Sequence, residues 1–269
     1  MSAPEPTAAR LHLLRAQEKP FIVVIRRRPS KLFHIIKWNT QKDRLYPGSW
    51  FSGKLYPMRC DVSFDGKWMV YLAMGDGGET WNGCCELPFL KTYLEGDNHG
   101  TWNGGGFWKD AKTLMLNRWL DERGQVPFKT EPMDIGPDED EGVLYLKMAR
   151  DGWTRNGDNW GVDEEIKGGK KYRVRTTGDD GWSWRMDRKG PTLQCFYRGY
   201  LEHGRTFEFR LLEHPELLDE TVQWATFDAR GHLIVARAGW IERYSLANVR
   251  SGHPGFRLDL NGLTRPQKP

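Results

Sequence analysis

Two identical tetrapeptides are the strongest candidates for a functional site in this chain. Thr80-Trp81-Asn82-Gly83 recurs as Thr101-Trp102-Asn103-Gly104, and Thr154-Arg155-Asn156-Gly157 is close to both. Gly96-Asp97-Asn98-His99-Gly100 and Gly157-Asp158-Asn159-Trp160-Gly161 form a second pair. Exposed tryptophans beside amides and carboxylates suit a hot spot for a partner protein or a stacking platform for carbohydrate. The rings cover apolar surface, and the polar groups fix the orientation of the ligand.

These segments supply seven candidate binding residues that we expect to gather on one face: Trp81, Asn82, Asp97, Trp102, Asn103, Asp158 and Trp160. Asn-Gly and Asp-Asn sequences also favour turns with positive backbone angles, so repeated turn chemistry is an alternative explanation of the pattern. The two explanations are compatible, because a turn can present its side chains to a partner.

Hydrolysis of a glycoside would need two facing carboxylates, one acting as acid and the other as base or nucleophile. The carboxylates near these segments are Asp76, Glu79, Asp97 and Asp158, and no spacing marks two of them as a pair. The sequence has no Gly-x-Ser-x-Gly elbow, and its Gly104-Gly105-Gly106 run precedes a strand-like segment rather than a helix. Neither a serine nucleophile nor a phosphate-binding loop is therefore indicated, and we predict no catalytic residues.

Metal binding is also not indicated by the spacing of the potential ligands. Cys84, Cys85 and His99 lie close in sequence, but a structural zinc site normally shows Cys-x2-Cys or His-x3-His spacing. Adjacent cysteines in a strand point to opposite faces and cannot easily share an ion. We predict neither a metal nor a cofactor.

The elements that would position these residues are indicated by five aspartate turns. In each, an aspartate stands next to glycine, lysine, arginine or alanine, close to strand-like apolar residues. The aspartates lie between 36 and 45 residues apart: Asp65, Asp110, Asp151, Asp187 and Asp228. A repeat of about 40 residues built from strand, tight turn and strand is typical of a β-propeller. The predicted fold is therefore all-β, a single propeller of about five antiparallel blades.

Further strand-like runs bear on how the ring closes. Residues 21–25 and 32–38 read as an N-terminal hairpin, and residues 142–148 read as another strand. We expect the N-terminal strands to complete a blade with C-terminal strands near 240–246 or 256–260, because such closure removes free sheet edges. The count becomes six if the N-terminal hairpin forms its own blade. The predicted organisation is a flexible N-terminal tail (1–19), one propeller (20–262) and a C-terminal tail (263–269).

One segment resembles a known repeat. Cys60-Asp61-Val62-Ser63-Phe64-Asp65-Gly66-Lys67-Trp68-Met69-Val70-Tyr71 is similar to the blade motif of WD40-like and TolB-type propeller repeats, and residues 227–236 resemble the same unit. The pattern from residue 36 to residue 61 is similar to bacterial propeller-like proteins of no assigned function. The chain lacks the Trp-Asp dipeptide that ends a WD40 blade. The resemblance implies a scaffold and supplies no catalytic residues.

Charge and composition limit the classes of partner. Forty basic and 36 acidic side chains give a net charge of +4, and they are mostly interspersed, so a nucleic-acid partner is not expected. The exception is Arg26-Arg27-Arg28 with Lys31, which reads as a solvated strand end or, alternatively, as a phosphate-binding patch. No apolar run approaches the length of about 20 residues that spans a bilayer.

The N-terminus lacks the apolar stretch of a signal peptide, and the four cysteines then indicate reduced thiols. We predict a cytoplasmic, non-catalytic scaffold that binds another protein through aromatic loops on one face. The alternative is a propeller that binds or hydrolyses carbohydrate with loop carboxylates.

Overall fold

The protein consists almost entirely of β-strands. Its computed structural model describes residues 7–97, 100–135, 141–156, 161–167, 170–176, 183–186, 190–201 and 204–267. The first half of the chain contains β1 (Arg10–Arg15), β2 (Phe21–Arg27), β3 (Leu32–Asn39), β4 (Arg44–Ser52), β5 (Lys54–Leu55), β6 (Asp61–Val62), β7 (Trp68–Met74), β8 (Thr80–Glu86), β9 (Thr92–Asp97), β10 (Gly106–Trp108), β11 (Thr113–Asn117), β12 (Leu120–Gly124) and β13 (Lys129–Met133). The second half contains α1 (Glu141–Arg150), β14 (Thr154–Asn156), β15 (Gly161–Lys167), β16 (Lys170–Thr176), β17 (Ser183–Met186), β18 (Leu193–Leu201), β19 (Gly204–Leu211), β20 (Val222–Phe227), β21 (Leu233–Arg237), β22 (Trp240–Tyr244), α2 (Leu246–Ser251) and β23 (Phe256–Asp259).

Four antiparallel sheets are arranged as the blades of a β-propeller. The first blade has the order β1-β2-β3-β4, and the second has the order β12-β9-β8-β7-β5 with β6 also paired to β7. The third blade is β14-β17-β18-β19, and the fourth is β20-β21-β22-β23. A smaller sheet, β10-β11-β13, stands beside the second blade, and β15 and β16 form a separate hairpin. The all-β propeller predicted from the sequence is confirmed.

Successive side chains of the first blade enter two different hydrophobic clusters. Along β2, Ile22 and Val24 pack in a cluster with residues of the third and fourth blades. Val23 and Ile25, which alternate with them, pack in a cluster with residues of the second blade. Because neighbouring side chains of a strand point to opposite faces, this blade is covered by apolar side chains on both sides. The double cover explains why residues 21–25 of β2 are all apolar instead of alternating with polar residues.

The second blade is covered in the same way. Met69 and Tyr71 face the first blade, whereas Trp68 packs in a third cluster with residues of β10 and β11. The adjacent Cys84 and Cys85 divide between the same two clusters. The prediction that these two thiols face opposite sides of a strand is therefore confirmed.

The structure has four blades, where the turn spacing predicted about five. The turns at Asp65, Asp110 and Asp228 do join paired strands, β6 with β7, β10 with β11 and β20 with β21. However, the sheet with the Asp110 turn has three strands in the described part of the chain, and Asp151 follows α1 instead of lying in a hairpin. The first blade, in contrast, has no aspartate turn between β1 and β2. Asp187 lies outside the described residues, between the paired strands β17 and β18.

Residues 142–148 form part of a helix, so the prediction of a strand there was wrong. Val143, Leu144 and Met148 of α1 are buried, and this spacing places them on one helical face. α1 also contains leucine, lysine, methionine and alanine, which are strong helix formers. α1 packs against β10, β14 and the 3₁₀ turn Pro57–Arg59.

The ring closes by contact between the first and fourth blades rather than by a shared sheet. The expected blade of mixed N- and C-terminal strands is not formed, because each group of strands pairs within its own sheet. Arg26 is buried between the two blades, and its guanidinium donates to the carbonyl oxygens of Leu260 (2.6 Å), Asn261 (3.0 Å) and Leu263 (3.0 Å). Arg26 is thus a link between blades, which neither interpretation of the basic run predicted.

Part of the predicted N-terminal tail (residues 1–19) is a strand of the first blade. Arg10–Arg15 form β1, which pairs with β2 from Arg10 opposite Arg27 to Arg15 opposite Ile22. The backbone amide of Leu11 also donates to Gln223 Oε1 of the fourth blade at 3.0 Å. The segment was misread because His12 and Arg15 interrupt its apolar run, and both side chains are buried.

The turn aspartates accept hydrogen bonds from the backbone. The Oδ1 atom of Asp65 accepts from the amide of Lys67 at 2.9 Å, and Asp110 accepts from Lys112 at 2.8 Å. Asp228 accepts from the amides of two residues that follow it and from Thr40 Oγ1 of the first blade at 2.6 Å. These aspartates therefore shape turns, and the Asp228 carboxylate also connects two blades.

Candidate functional site

The predicted binding residues that the structure describes lie together at one end of the second blade. Trp81 and Asn82 belong to β8, Asp97 is the last residue of β9, and Trp102 and Asn103 lie in the turn that follows. Trp81 is directly opposite Asp97 in the pairing of β8 with β9. The fold thus brings the two identical tetrapeptides next to each other.

The first tetrapeptide supports this end of the blade from within. Asn82 is fully buried, and its Oδ1 accepts from the amide of Gly105 at 2.7 Å while its Nδ2 donates to the carbonyl of Asp97 at 3.4 Å. Trp81 is half-buried and meets Phe51 of the first blade edge to face, with ring centroids 5.9 Å apart. Both residues lie in strand β8 and not in a loop. Asn82 supports the turn after β9 through its hydrogen bond with Gly105.

The second tetrapeptide is the exposed one. Trp102 has 58% of its surface accessible. Its turn is anchored through the neighbouring Asn103, whose carbonyl accepts from Arg59 Nη1 at 2.6 Å and whose Oδ1 accepts from Arg118 Nη1 at 3.4 Å. Arg118 in turn binds both carboxylate oxygens of Asp134, at 2.6 and 2.9 Å. An exposed indole therefore stands on a turn whose backbone is fixed.

Charged and apolar side chains lie on the neighbouring strands β9 and β12. Arg123 Nη2 on β12 lies 2.7 Å from Asp97 Oδ1 and 3.2 Å from Glu95 Oε1, and Leu120, opposite Asp97 in the pairing of β12 with β9, is exposed. We refer to the following residues as the Trp102 face: Asp97, Trp102, Asn103, Arg118, Leu120 and Arg123. The two carboxylates here share one guanidinium, whereas a glycosidase would need two carboxylates facing each other across a substrate pocket.

Two of the predicted residues, Asp158 and Trp160, lie outside the described residues. The grouping of the second Gly-Asp-Asn segment with the Trp102 face therefore stays a prediction.

A second concentration of functional side chains was missed by sequence reasoning. It lies where β1, β6 and β20 meet α1, and we call it the central cluster: His12, Arg15, Asp61, Lys147, Arg150 and Asp151. Its residues come from positions 12 to 151, so no local motif marks it. One signal was available in the sequence: Lys147 is three residues before Arg150 and four before Asp151. On a helix this spacing brings the three charged side chains near one face, but the helix itself was not predicted.

An ion pair with both partners buried forms the core of the central cluster. The Arg150 guanidinium binds both carboxylate oxygens of Asp61, and the Nη2–Oδ1 distance is 3.1 Å. Asp61 Oδ2 also accepts from the amide of Trp108 at 2.8 Å, and Arg150 donates to the Trp108 carbonyl at 2.9 Å. Arg150 Nε further donates to Asp151 Oδ1 at 2.7 Å. The pair therefore connects α1 to β6 and β10.

Burial changes the proton affinities around this pair. Desolvation lowers the pKa of Lys147, whose ammonium donates to the Cys60 carbonyl at 2.5 Å, and Asp61 partly opposes that shift. Desolvation also raises the pKa of Asp151 against the effect of Arg150 and Arg15. The pKa of His12 lies well below its usual value because the ring is buried and Lys147 is near. His12 is accordingly a neutral imidazole at neutral pH, packed on Trp224 with ring centroids 4.2 Å apart.

Comparisons with known proteins do not show a family for this chain. No protein-family model matches the chain, and no curated protein was found to be similar. Among solved structures, the chain is similar to the uncharacterized protein lmo1340 from Listeria monocytogenes EGD-e, with 9% identity and a TM-score of 0.35 over 100% of this chain and 99% of that one. It is also similar to the WD40 domain of SCAP from fission yeast, with 8% identity and a TM-score of 0.24 over 92% of this chain and 65% of that one.

Neither α-helix in the described part of the chain has the length and apolar character needed to cross a membrane. In the same part of the chain, no three histidine, cysteine or acidic residues come together as a metal site would require.

Proposed function

We propose that this protein is a non-catalytic propeller scaffold that binds another protein through the Trp102 face. The observation that carries the proposal is the exposure of Trp102 on an anchored turn. Most tryptophans described here, among them Trp38, Trp68 and Trp108, are buried in the clusters between blades. Tryptophan is enriched among residues that dominate binding energy, and a fixed backbone lowers the entropy lost on binding.

The surroundings of Trp102 support a protein partner. Arg118, which donates to the neighbouring Asn103, and Arg123 on β12 both form exposed ion pairs, and Leu120 adds exposed apolar surface. An aromatic centre with a charged rim is the usual composition of a protein interface. The rim pairs are exposed, so they contribute to orientation and specificity more than to affinity.

Recognition by side chains is favoured over addition of a strand to the sheet edge. β12 is the outer strand of the second blade, and all of its residues are exposed. Its pairing with β9 shifts register between Leu120 and Arg123, and Asp121 has a positive φ of 45°. Such a bulged, charged edge does not offer a regular row of amides to an incoming strand.

We also propose that the protein works in the cytoplasm. Cys60, Cys84, Cys85 and Cys195 are all buried free thiols. Burial raises the pKa of Cys84 to about 12, so this thiol is not reactive at neutral pH. A chain with four cysteines and no disulfide among them is typical of a reducing compartment.

The proposal is tested by Trp102→Ala, with Phe89→Ala as the matched control. Both aromatic residues belong to the second blade and both are 58% exposed, but Phe89 precedes β9 and lies at the other end of that strand. A partner captured from the native host should bind Trp102→Ala at least tenfold more weakly, as expected for a hot-spot tryptophan. Phe89→Ala should bind as the wild type does. Equal affinities for all three proteins, measured by titration calorimetry with the purified partner, would reject the Trp102 face as the binding surface.

A further inference from the structure

A polar groove lies on the surface beside the turn between β2 and β3. Its other walls are the end of β4, the turn after β7 and the C-terminal segment that follows β23. The polar residues that line it are Ser30, Lys31, Ser52, Asp76 and Arg265. Folding therefore brings two cations, two hydroxyl groups and one carboxylate from distant parts of the chain into one groove.

Two guanidinium groups at this groove are held by neutral partners. Arg265 Nη1 donates to Ser52 Oγ at 3.3 Å. Arg27 Nε donates to the carbonyl oxygen of Ser30 at 2.5 Å, and the Arg27 guanidinium lies 5.7 Å from the centroid of the Phe33 ring. In the described part of the chain, neither guanidinium forms an ion pair with a carboxylate. Their charges are therefore oriented by the fold without being neutralised by it.

The arginines of the Trp102 face show the contrast. Arg118 lies 2.6 Å from a carboxylate oxygen of Asp134, and Arg123 lies 2.7 Å from one of Asp97. A guanidinium has five N–H donors in a planar fork, and among the described residues Arg265 uses this fork only on the Ser52 hydroxyl. The remaining donors of Arg265 can therefore bind an anionic ligand in the groove.

The carboxylate in the groove is weakly held. Asp76 Oδ1 lies 3.9 Å from Lys31 Nζ, and the Lys31 and Asp76 side chains are 75% and 65% exposed. An exposed ion pair of this kind contributes little to stability. A phosphate monoester carries a charge of about −1.5 to −2 at neutral pH and three acceptor oxygens, so it competes well with one carboxylate for Lys31.

We propose that this groove binds a phosphate monoester, whose oxygens accept from the Arg265 guanidinium, the Lys31 ammonium and the Ser30 hydroxyl. The planar fork of arginine matches two phosphate oxygens, and lysine adds a point charge. Arg27, which binds the backbone of Ser30, adds a further positive charge at the edge of the groove. The groove shares no residue with the Trp102 face, and the proposal does not depend on the function proposed for that face.

Fluorescence anisotropy with three short labelled peptides tests the proposal. The peptides consist of glycine and alanine around one central residue, which is phosphoserine, serine or glutamate. The phosphoserine peptide should bind the wild type at least about tenfold more tightly than either of the others, because only phosphate offers three acceptor oxygens and nearly two charges. Equal binding of the phosphoserine and glutamate peptides would overturn the proposal.

Variants of the groove locate the site. Arg265→Gln should weaken binding of the phosphoserine peptide about tenfold, because it removes a charge-assisted pair. Arg230→Gln, at an exposed arginine in the β20–β21 turn of the fourth blade, should bind as the wild type does. Asp76→Asn should strengthen binding about twofold, because it removes the carboxylate that competes for Lys31. An unchanged affinity in Arg265→Gln, or weaker binding by Asp76→Asn, would overturn the proposal.

Competition distinguishes a phosphorylated protein from a free phosphate compound as the source of the ligand. Inorganic phosphate that displaces the phosphoserine peptide at concentrations near the Kd of the peptide would support the site and show that phosphate alone is sufficient. A need for at least about tenfold more phosphate would support the site and show that the peptide chain contributes to binding. Failure of inorganic phosphate to displace the peptide at any concentration would overturn the proposal.

Discussion

Asp61→Asn is expected to lower the free energy of unfolding by about 3 kcal/mol, because it leaves the Arg150 guanidinium buried beside a neutral amide. The side chains of Asp61 and Arg150 are only 3% and 8% exposed, so water cannot replace the lost partner. The pair also fixes α1 to the rest of the propeller through the backbone of Trp108. Urea denaturation followed by tryptophan fluorescence measures the change.

The control for this prediction is Asp76→Asn, which removes an exposed carboxylate. Asp76 lies 3.9 Å from Lys31, and both side chains are mostly in solvent, so the change should stay within about 0.5 kcal/mol of the wild type. Combining Asp61→Asn with Arg150→Met should cost at least about 1 kcal/mol less than the sum of the single changes. Equal stabilities of Asp61→Asn and Asp76→Asn would show that the buried pair does not hold α1 in place.

Acidification is expected to destabilise the fold through two buried histidines. Burial and the charge of Arg26 lower the pKa of His34 to about 4, and burial with Lys147 lowers that of His12. In the unfolded chain both have a pKa near 6.5, so between pH 6.5 and pH 4 the unfolded state binds more protons. The contribution of the two neutral histidines to the free energy of unfolding is therefore complete above pH 6.5 and falls as the pH decreases. His34 alone should account for about 2 kcal/mol of the loss.

His34→Phe isolates this effect, because phenylalanine keeps the stacking on Trp50, where the ring centroids are 4.1 Å apart. The carboxylates of the protein titrate equally in both proteins, so the difference between their stability profiles reports His34. Urea unfolding at pH 7, 5.5 and 4 should show a smaller loss for His34→Phe than for the wild type. His253→Phe, at an exposed histidine, should follow the wild type. Parallel profiles for His34→Phe and the wild type would contradict the assignment.

The propeller could be predicted from the sequence because its signals are local. The turns at Asp65, Asp110 and Asp228 are made by an aspartate that binds amides a few residues away, and such contacts leave a regular trace in the chain. The blade count could not be predicted in the same way. The turn between β1 and β2 of the first blade contains no aspartate. Asp151 is followed by glycine, as the hairpin residue Asp65 is, but it comes after a helix and binds Arg150.

The candidate site shows the same limit. The two Thr-Trp-Asn-Gly segments are identical in sequence, yet Asn82 is buried in β8 and Trp102 stands in solvent, because only tertiary packing decides which copy is covered. The central cluster depends on contacts between Asp61 and Arg150, which are 89 residues apart. Asp61 and Arg150 meet only after folding, so no spacing in the sequence marks these two residues as a pair.

Site-specific photo-crosslinking tests the central claim most directly. A photoreactive phenylalanine analogue is placed at position 102 in one protein and at position 89 in another, and each is irradiated in cells of the native host. We predict that position 102 crosslinks to one defined protein and that position 89, which is equally exposed, does not. The same crosslinks from both positions, or none from position 102, would contradict a binding role for the Trp102 face.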